Sequence, residues 1–424
     1  MSNWFAALAP VRAGEWRTVG LAFAWFYCLL AGYYVLRPVR DALGIAGGVD
    51  RLPWLFTATF VAMLVLTPVF GWLTARLPRR RFLPAVYAFF GANLIGFYAL
   101  LATNVAPQAT SDAFFVWVSV FNLFVVSVFW SFMVDLFSAA QGARLFGLIA
   151  AGGSAGALTG PVLTAFFVEA LGTANLLLVS AAFLGVALVC LYRLLLDAPT
   201  PVHRAAADGN EVPIGGSVWG GLTAVLRSPY LLGVCAYLFL HSTLFTMLYF
   251  ETATFALDAY PGRDGRIAFF ARIDLAVNLL TAVLQLGLTA RLIRRLGVAG
   301  TLATLPALAV AGFVALAVFP LFSVLIVFQI VRRAGEYALA KPARELLFSV
   351  LDREAKYKAK NFIDTVVFRG ADTASGWLYQ ALKPLALALS TLSWLAAPLA
   401  AGWALLALAL GRRQRQLAAA RGTA

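Results

Sequence analysis

The chain has 424 residues, of which 62% are hydrophobic and only 12% are charged, and its formal net charge is +14. A water-soluble domain cannot bury that much apolar surface, so the composition excludes a soluble protein and predicts a polytopic α-helical protein embedded in the lipid bilayer. Apolar runs recur without period-2 alternation, which excludes an outer-membrane β-barrel. The basic residues lie mostly in short loops, where they set orientation, so we expect no nucleic-acid partner.

Twelve apolar stretches are long enough to cross a membrane. They cover residues 18–36, 54–75, 82–103, 114–137, 147–170, 175–195, 230–254, 267–290, 299–318, 320–340, 362–385 and 390–410. Lys and Arg cluster after spans 2, 8 and 10 and in the C-terminal tail, whereas the loops after spans 3, 5 and 9 hold almost none. This asymmetry predicts both termini in the cytoplasm of a bacterial inner membrane.

The long polar stretch 197–229 separates two sets of six spans and predicts a cytoplasmic connector. It would join an N-terminal half, 1–196, to a C-terminal half, 230–424. His203 lies in this connector and is interpreted as a solvated loop histidine.

An internal repeat supports two related halves. Leu73-Thr74-Ala75-Arg76-Leu77 recurs 215 residues later as Leu288-Thr289-Ala290-Arg291-Leu292. A second echo has an offset of 216, because Arg144-Leu145-Phe146 corresponds to Lys360-Asn361-Phe362, Ala155 to Ala371 and Gly160 to Gly376. Six spans per half give both halves the same orientation, which predicts a parallel repeat of two six-helix bundles.

The loop after span 2 resembles a known signature. Gly71-x3-Ala75-Arg76-x-x-Arg79-Arg80 is similar to the major-facilitator sequence Gly-x3-Asp-Arg-x-Gly-Arg-Arg, with Ala75 in place of the Asp and Pro78 in place of the second Gly. The resemblance implies the major-facilitator fold and secondary transport by alternating access.

A narrower resemblance begins at the end of the first span. Tyr34-Val35-Leu36-Arg37-x-x-Arg40-Asp41 is similar to the Leu-Arg-x-x-Lys-Asp element of ATP/ADP translocases, the nucleotide antiporters of plastids and intracellular bacteria. Further segments resemble that family in the same order: Phe129-Trp130, Lys341-x-x-Arg344-Glu345, Leu351-Asp352-Arg353-Glu354, Lys356-x-Lys358-x-Lys360, Ile363-Asp364, Arg369 and Ser375-Gly376.

The resemblance to translocases implies transport of a nucleotide or another phosphorylated metabolite, by exchange or by proton coupling. The sequence departs from the family's pattern in span 4, which has no acid before Phe129, and at Asp372, about where a Lys is expected. Two other functions therefore stay open. One is a non-transporting membrane scaffold or sensor, and the other is a lipid or drug transporter.

Charged residues inside the spans, together with Arg37, Arg40 and Asp41 at the outer mouth of span 1, are the candidate site. An ionised side chain at mid-helix costs roughly 2.5–3.5 kcal/mol, so each needs a pairing or transport role. Arginine suits phosphate or carboxylate because it stays charged and donates two parallel hydrogen bonds. The candidate substrate-binding residues are Arg37, Arg40, Arg272, Arg332, Arg333 and Arg369. The candidate gating or coupling residues are Asp41, Asp135, Glu251, Asp274, Glu336, Asp364 and Asp372.

Some of these residues can pair with each other. Arg332 and Glu336 are i,i+4 neighbours, and Arg369 and Asp372 are i,i+3 neighbours. The alternative role for the whole set is a system of salt bridges that closes one side of the cavity. His241 lies in the same apolar surroundings and is interpreted as a hydrogen-bonded helix contact.

The remaining motifs predict packing. Gly152, Gly153, Gly156 and Gly160 are spaced so that span 5 can approach another helix closely, and the sequence lacks the Gly-Lys-Ser/Thr ending of a phosphate-binding loop. The three cysteines lie inside apolar runs and are interpreted as small core residues. We expect a monomer with no catalytic residue, no cofactor and no metal site, whose partners are the bilayer and a small anionic substrate.

Overall fold

The computed structural model describes residues 11–12, 14–197, 218–352, 359–360, 362–420 and 422. These residues form long helices and contain no strand. Six helices precede the connector: α1 (Trp16–Gly44), α2 (Leu52–Arg76), α3 (Arg79–Ala102), α4 (Pro107–Leu136), α5 (Ala139–Leu171) and α6 (Thr173–Asp197). A short helix, Val218–Leu226, leads into the second set, which begins with α7 (Pro229–Ala259), α8 (Arg263–Gly287) and α9 (Thr289–Val318).

The next two helices each contain a π-helical turn. Helix α10 consists of Phe322–Gly335, the π-helical turn Glu336–Ala340 and Lys341–Leu347, whereas α11 consists of the π-helical turn Ile363–Val367 and Phe368–Leu382. Helix α12 covers Leu389–Ala420, and 3₁₀ turns cover Val49–Arg51, Phe348–Val350 and Lys383–Leu385.

Ten uninterrupted helices of the described residues are long and apolar enough to cross a membrane. The other two predicted spans are α10 and α11. The predicted all-α polytopic fold of twelve helices is therefore confirmed, and the π-helical turns are an addition that composition did not predict.

The chain divides into two compact units. The first comprises Met1–Gly47, Val65–Val212 and Tyr260–Leu275, and the second comprises Gly48–Leu64, Pro213–Ala259 and Ala276–Ala424. Helices α2 and α8 thus contribute residues to both units. Within the first unit α1 packs on α5 and α6 and α3 packs on α6; within the second, α7 packs on α11 and α12 and α9 packs on α12. Helices that correspond in the internal repeat therefore form the same packed pairs in both units. The division into halves predicted from the stretch 197–229 stays a prediction.

Helix α1 ends eight residues later than predicted. The apolar run closes at Leu36, yet the helix continues through Pro38 to Gly44. Proline removes one helical N–H and usually kinks or ends a helix. Here Val39 and residues 41–44 are buried, and a Cβ at Gly44 would lie only 2.5 Å from the Phe115 ring of α4. Close packing of this last stretch explains why the helix extends beyond the apolar run.

The glycines of α5 pack directly on the backbone of α1. A Cβ at Gly152 would lie 2.5 Å from the carbonyl oxygen of Phe23, and one at Gly160 would lie 2.7 Å from that of Ala31. Gly156, between them, faces the carbonyl oxygen of Tyr27. The two helices meet at four-residue intervals on both sides, in the close packing expected of small residues in membrane helices.

An ion pair ties the start of α1 to the start of α5. Glu15 accepts hydrogen bonds from Arg144 at 2.8 Å and from the Gln141 side chain at 3.0 Å. Gln141 also completes a capping box with Ser138 at the first turn of α5. The hydrogen bonds from Arg144 and Gln141 lower the pKa of the Glu15 carboxyl from 4.5 to about 2.

Several predictions made from the sequence fall on parts of the chain that the structure does not cover. His203, Arg353, Glu354, Lys356, Lys358 and Asn361 lie outside the described residues, as does most of the N-terminal segment before α1. Of the cysteines, Cys28 and Cys190 are buried, as predicted, and Cys235 is half-buried.

Candidate functional site

Five charged or titratable side chains of the second unit lie on three neighbouring helices. His241 comes from α7, Arg332 and Glu336 from α10, and Arg369 and Asp372 from α11. We call these five residues the α7/α10/α11 cluster. The sequence nominated four of them, and the structure adds the contacts that join them.

Arg332 contacts Gln329, Glu336 and Phe245. Its Nε and Nη2 atoms both donate to Oε1 of Gln329, at 2.9 and 2.7 Å, and its Nη1 lies 3.6 Å from Oε2 of Glu336. The guanidinium also lies over the Phe245 ring, 4.1 Å from its centroid. Only 8% of the Arg332 side chain is exposed. A buried charge is tolerated only with such partners, since an isolated one would be strongly destabilising.

Glu336 is shared by two potential cations. Its Oε1 atom lies 3.3 Å from Nε2 of His241, while its other oxygen faces Arg332. The imidazole is otherwise enclosed by aromatic rings, with centroids 4.7 Å away for Phe245, 5.6 Å for Trp403 and 5.9 Å for Phe368. Glu336 is thus a polar neighbour of a histidine that also contacts three aromatic rings.

Asp372 joins α11 to α7. It accepts a hydrogen bond of 2.5 Å from the Ser242 hydroxyl and lies 3.6 Å from Nη1 of Arg369. One turn further along, the hydroxyls of Thr243 and Ser375 are 3.0 Å apart. The Arg369 side chain is 39% exposed, so it is the more accessible arginine of the cluster.

Both π-helical turns lie at candidate residues. The first begins at Glu336, whose carbonyl accepts from the N–H of Lys341, five residues on; the second spans Asp364 and is closed by the N–H of Phe368. The Thr289 hydroxyl donates to the carbonyl of Ala338 at 3.0 Å and so gives that carbonyl, inside the first π-helical turn, a hydrogen-bond partner. Such turns are rare and frequently occur at functional sites.

Two further carboxylates of the second unit have partners of their own. Asp364 lies 4.0 Å from Arg344, and Glu251 accepts a hydrogen bond of 2.7 Å from the Tyr379 hydroxyl. Asp364 therefore adds a further ion pair between α10 and α11, whereas the partner of Glu251 is the hydroxyl of a tyrosine.

The first unit contains a second group of charges. Arg37 of α1 lies 3.6 Å from Asp274 of α8, whose carboxylate is almost fully buried. Arg40 donates to its neighbour Asp41 at 2.6 Å through Nη2 and 3.0 Å through Nε, and it lies over the Phe115 ring at 5.1 Å. These contacts make each arginine part of an ion pair.

The remaining candidates are less enclosed. Arg272 and Asp135 are exposed and Arg333 is half-buried. The structure therefore brings together Arg332, Glu336, Arg369 and Asp372 in one unit and Arg37, Arg40, Asp41 and Asp274 in the other.

Some polar contacts of the site were not predicted. The sequence analysis interprets His241 as a hydrogen-bonded helix contact without identifying Glu336 as its partner, and it does not single out Gln329 or Ser242. Gln329 precedes Arg332 by three residues and so shares its helix face, which is a signal that the sequence does contain. Ser242 precedes Asp372 by 130 residues, and no spacing rule relates the two.

Comparison with known proteins identifies the family. The sequence pattern of the Major Facilitator Superfamily matches residues 13–336, which is most of the chain. The chain belongs to the Major Facilitator Superfamily. It is accordingly a membrane transporter of the major-facilitator type, and the resemblance seen after span 2 is confirmed.

Individual relatives agree with this family. ADP,ATP carrier protein 1 of Chlamydia muridarum (strain MoPn / Nigg) is 22% identical, over 88% of this chain and 83% of the carrier. Among solved structures, the nucleoside transporter NupG is similar with a TM-score of 0.68 and 11% identity, over 93% of this chain and 99% of NupG. An auto-inhibited peptide transporter of the POT family has a TM-score of 0.65 and 15% identity, over 94% and 97% of the two chains. At these identities the structural likeness shows the fold alone.

Proposed function

We propose that this major-facilitator protein is a secondary transporter that moves an organic anion, a nucleotide or another phosphorylated metabolite, by alternating access. The observation that supports this proposal most directly is the α7/α10/α11 cluster, which places two arginines on helices that π-helical turns interrupt. The likeness to a protein named ADP,ATP carrier supports the phosphorylated class of substrate.

The arginines supply the chemistry for an anion. A guanidinium binds phosphate through two parallel hydrogen bonds, and it does so most strongly where water is excluded. In the cluster, however, Arg332 and Arg369 each lie 3.6 Å from a carboxylate, a distance too long for a tight hydrogen bond. A phosphate group that accepts two parallel hydrogen bonds from the guanidinium would replace that carboxylate. The same arginine would then pair with the carboxylate, as part of a gate, when no substrate is bound, and with the substrate when it is bound.

Orientation and division into halves are part of the proposal. The loop charges support both termini in the cytoplasm of a bacterial inner membrane. The polar stretch 197–229 would then be a cytoplasmic connector between halves 1–196 and 230–424. Arg37, Arg40 and Arg272 would contribute from the first half and from α8.

A lipid or drug transporter is the second candidate, because two observations favour it. Four of the six candidate arginines already have a carboxylate beside them. In addition, an apolar groove of about 350 Å³ lies between α9 and α10, lined by Leu308, Gly312, Val324, Val327 and Phe328 among others. An apolar substrate would need such a surface and would leave the ion pairs intact.

The two candidates predict different ligands. We would measure thermal unfolding of the purified protein in detergent against nucleotides, sugar phosphates, dicarboxylates and amphipathic drugs. A ligand that binds only the folded state stabilises it by about 2.7 kcal/mol at 100 times its Kd. Anion transport predicts that a phosphorylated compound raises the melting temperature of the wild type and of Arg412→Ala, an exposed residue of the α12 tail, but not that of Arg369→Ala.

The contrary result would be stabilisation by drugs alone, equal in wild type and Arg369→Ala. That outcome would reject the anion proposal and support the apolar one. Uptake of the stabilising compound into proteoliposomes then tests transport itself.

A further inference from the structure

We propose that residues 289–296, the first two turns of α9, form a short helix on the membrane surface that binds the phosphate headgroup of an anionic phospholipid. The side chains that would hold the phosphate are those of Arg291, Arg294 and Arg295. These residues belong to the second unit and lie outside the α7/α10/α11 cluster. The inference goes beyond the proposed function, because it does not depend on the substrate.

Gly297 separates these two turns from the spanning part of α9. Its φ of 65° and ψ of −173° are not helical, although helix precedes and follows it. A glycine adopts a positive φ without the steric cost that a Cβ would bring. Residues 289–296 therefore form a short helix of their own, which follows the end of α8 at Gly287 with only Leu288 between them.

The length of α8 sets the level of this short helix in the bilayer. Its 25 residues, Arg263–Gly287, rise by about 37 Å at about 1.5 Å per residue. The hydrocarbon core of a bilayer is about 30 Å thick, and the headgroups bring the total to about 40–45 Å. A helix of this length spans the hydrocarbon core, so the residues that follow it lie among the headgroups.

The short helix has a basic face and an apolar face. At about 100° per residue, the three arginines fall within an arc of about 100°, and all three are exposed. Leu292, Ile293 and Leu296 occupy the opposite arc, where the first two are half-buried and the third is 45% exposed. A helix with arginine on one face and leucine on the other is typical of the boundary between headgroups and acyl chains.

The charge of the three arginines is not balanced within the described residues. The sequence contains no Asp or Glu between Asp274 and Glu336. In the part of the chain that the structure describes, none of the three makes an ion pair or a side-chain hydrogen bond. By contrast, Arg332 and Arg344 of the same unit each lie beside a carboxylate. A phosphate would supply the negative charge, because it accepts paired hydrogen bonds from guanidinium groups.

A phospholipid fits this surface better than a soluble anion does. Exposed apolar side chains border the arginines at Leu286, Leu288 and Leu296, which are 91%, 39% and 45% exposed. An anionic phospholipid brings acyl chains to cover these leucines and a phosphate to the arginines, at the same level of the bilayer. Inorganic phosphate or a nucleotide would neutralise the arginines and leave the leucines uncovered.

The short helix is tied to the first π-helical turn of α10. The Thr289 hydroxyl donates to the Ala338 carbonyl at 3.0 Å, and the Gln285 amide, one turn earlier, donates to the Tyr337 carbonyl at 3.5 Å. Both acceptors lie in the turn that begins at Glu336. A headgroup bound at the arginines therefore fixes the residues that support this turn, so the lipid should stabilise the folded protein.

The internal repeat supplies a matched control. Arg76, Arg79 and Arg80 correspond to the three arginines at an offset of 215, and Pro78 corresponds to Ile293. In this first copy α2 ends at Arg76 and α3 begins at Arg79, so Pro78 lies between two helices. The first copy thus carries three arginines without the short helix that aligns them.

The test measures binding of phosphatidylglycerol in mixed detergent micelles, against phosphatidylcholine with the same acyl chains. Two triple variants are compared with the wild type: Arg291→Gln/Arg294→Gln/Arg295→Gln in the second copy and Arg76→Gln/Arg79→Gln/Arg80→Gln in the first. An arginine near an anionic membrane surface is worth about fivefold in affinity, so loss of three should weaken binding about 100-fold. We expect that loss in the second-copy variant and less than about fivefold in the first-copy variant.

Three results of the binding test would overturn the proposal. Equal loss of binding in the two triple variants would show attraction by charge alone. Equal binding of phosphatidylcholine, which has no net charge, would show that the arginines do not select the headgroup. ADP serves as the soluble probe. If the second-copy variant weakens binding of ADP as strongly as that of phosphatidylglycerol, the arginines bind a soluble anion and the assignment to lipid is wrong.

Thermal unfolding in detergent without phospholipid separates a lost lipid site from a lost fold. The second-copy variant should then unfold at the wild-type temperature, because its arginines make no ion pair within the described residues. Added phosphatidylglycerol should raise the unfolding temperature of the wild type more than that of this variant. A variant that is less stable without lipid, or equally stabilised by it, would contradict the proposal.

Discussion

Replacing Gly160 by alanine should separate helices α1 and α5. The added Cβ would lie 2.7 Å from the Ala31 carbonyl oxygen and 2.7 Å from Cβ of Tyr34, where ordinary contact begins at 3.4 Å. Both obstacles lie at the α1 backbone and cannot rotate away. The two helices would therefore have to move apart by somewhat less than 1 Å. A gap of that size removes a quarter to a half of the van der Waals attraction between each pair of atoms that it separates.

Overpacking of this kind costs about 1–3 kcal/mol. Two alanine substitutions serve as controls. Gly147 lies on the same helix with no neighbour within 4 Å of its Cβ position, so Gly147→Ala should be neutral or stabilising by up to about 1 kcal/mol through helix propensity. Gly376, the partner of Gly160 in the internal repeat, would place its Cβ 3.5 Å from Phe56 and Pro53, and should also tolerate alanine.

The assay is reversible unfolding in mixed detergent micelles, followed by tryptophan fluorescence. We expect Gly160→Ala to unfold first and the other two variants to unfold with the wild type or after it. Equal stability of all three variants would refute the close approach of α1 and α5. Destabilisation of Gly376→Ala alone would show that the tighter helix contact is the one at Gly376 and not the one at Gly160.

Three further outcomes can be checked by the same unfolding assay. Glu336→Gln should cost about 3 kcal/mol, because it leaves the buried charge of Arg332 without its carboxylate. Thr289→Val should cost about 1 kcal/mol by removing the hydroxyl that donates into the first π-helical turn. Glu15→Gln should be less stable than the wild type at neutral pH. The pKa of Glu15 is lowered from 4.5 to about 2 in the folded protein, so its contribution is present above pH 4.5 and the difference should vanish as the pH falls toward 2.

Each of these variants has a matched control. Glu345→Gln is the control for Glu336→Gln, because both carboxylates lie on α10. Its ion pair with Lys360 is exposed, so the loss should cost less than about 1 kcal/mol. Thr281→Val removes a hydroxyl that bonds only its own helix, at the Val277 carbonyl. Glu169→Gln changes an exposed carboxylate of α5 and should unfold like the wild type at neutral pH. If a control loses as much stability as its test variant, the contact named for that variant is not the cause.

The apolar runs were sufficient to predict the fold. The span predicted at 54–75 is the helix Leu52–Arg76, and the span predicted at 230–254 lies inside Pro229–Ala259. The prediction failed at the end of α1, because burial of 41–44 depends on packing against α4 rather than on local hydropathy. It also missed both π-helical turns, since hydropathy does not distinguish 3.6 residues per turn from a wider one.

The candidate site was predictable only along each helix. The spacing of Arg332 with Glu336, and of Arg369 with Asp372, predicts the pairs that the structure contains. Contacts across helices, such as Arg37 with Asp274, join residues more than 200 positions apart, and neither composition nor spacing relates them. Which of these residues bind substrate stays a prediction.

The π-helical turns decide which way the charged residues point. Twelve residues of a regular α-helix place Arg332 and Arg344 about 120° apart around the axis, whereas one extra residue in the turn reduces this to about 20°. The same reckoning brings Asp364 and Asp372 on α11 from about 80° apart to about 20°. Each helix therefore carries two like charges in line along one side, Arg332 and Arg344 on α10 and Asp364 and Asp372 on α11, with Glu336, of opposite charge, also on the α10 side. Loss of a single residue from either turn would rotate one end of that line away from its partner.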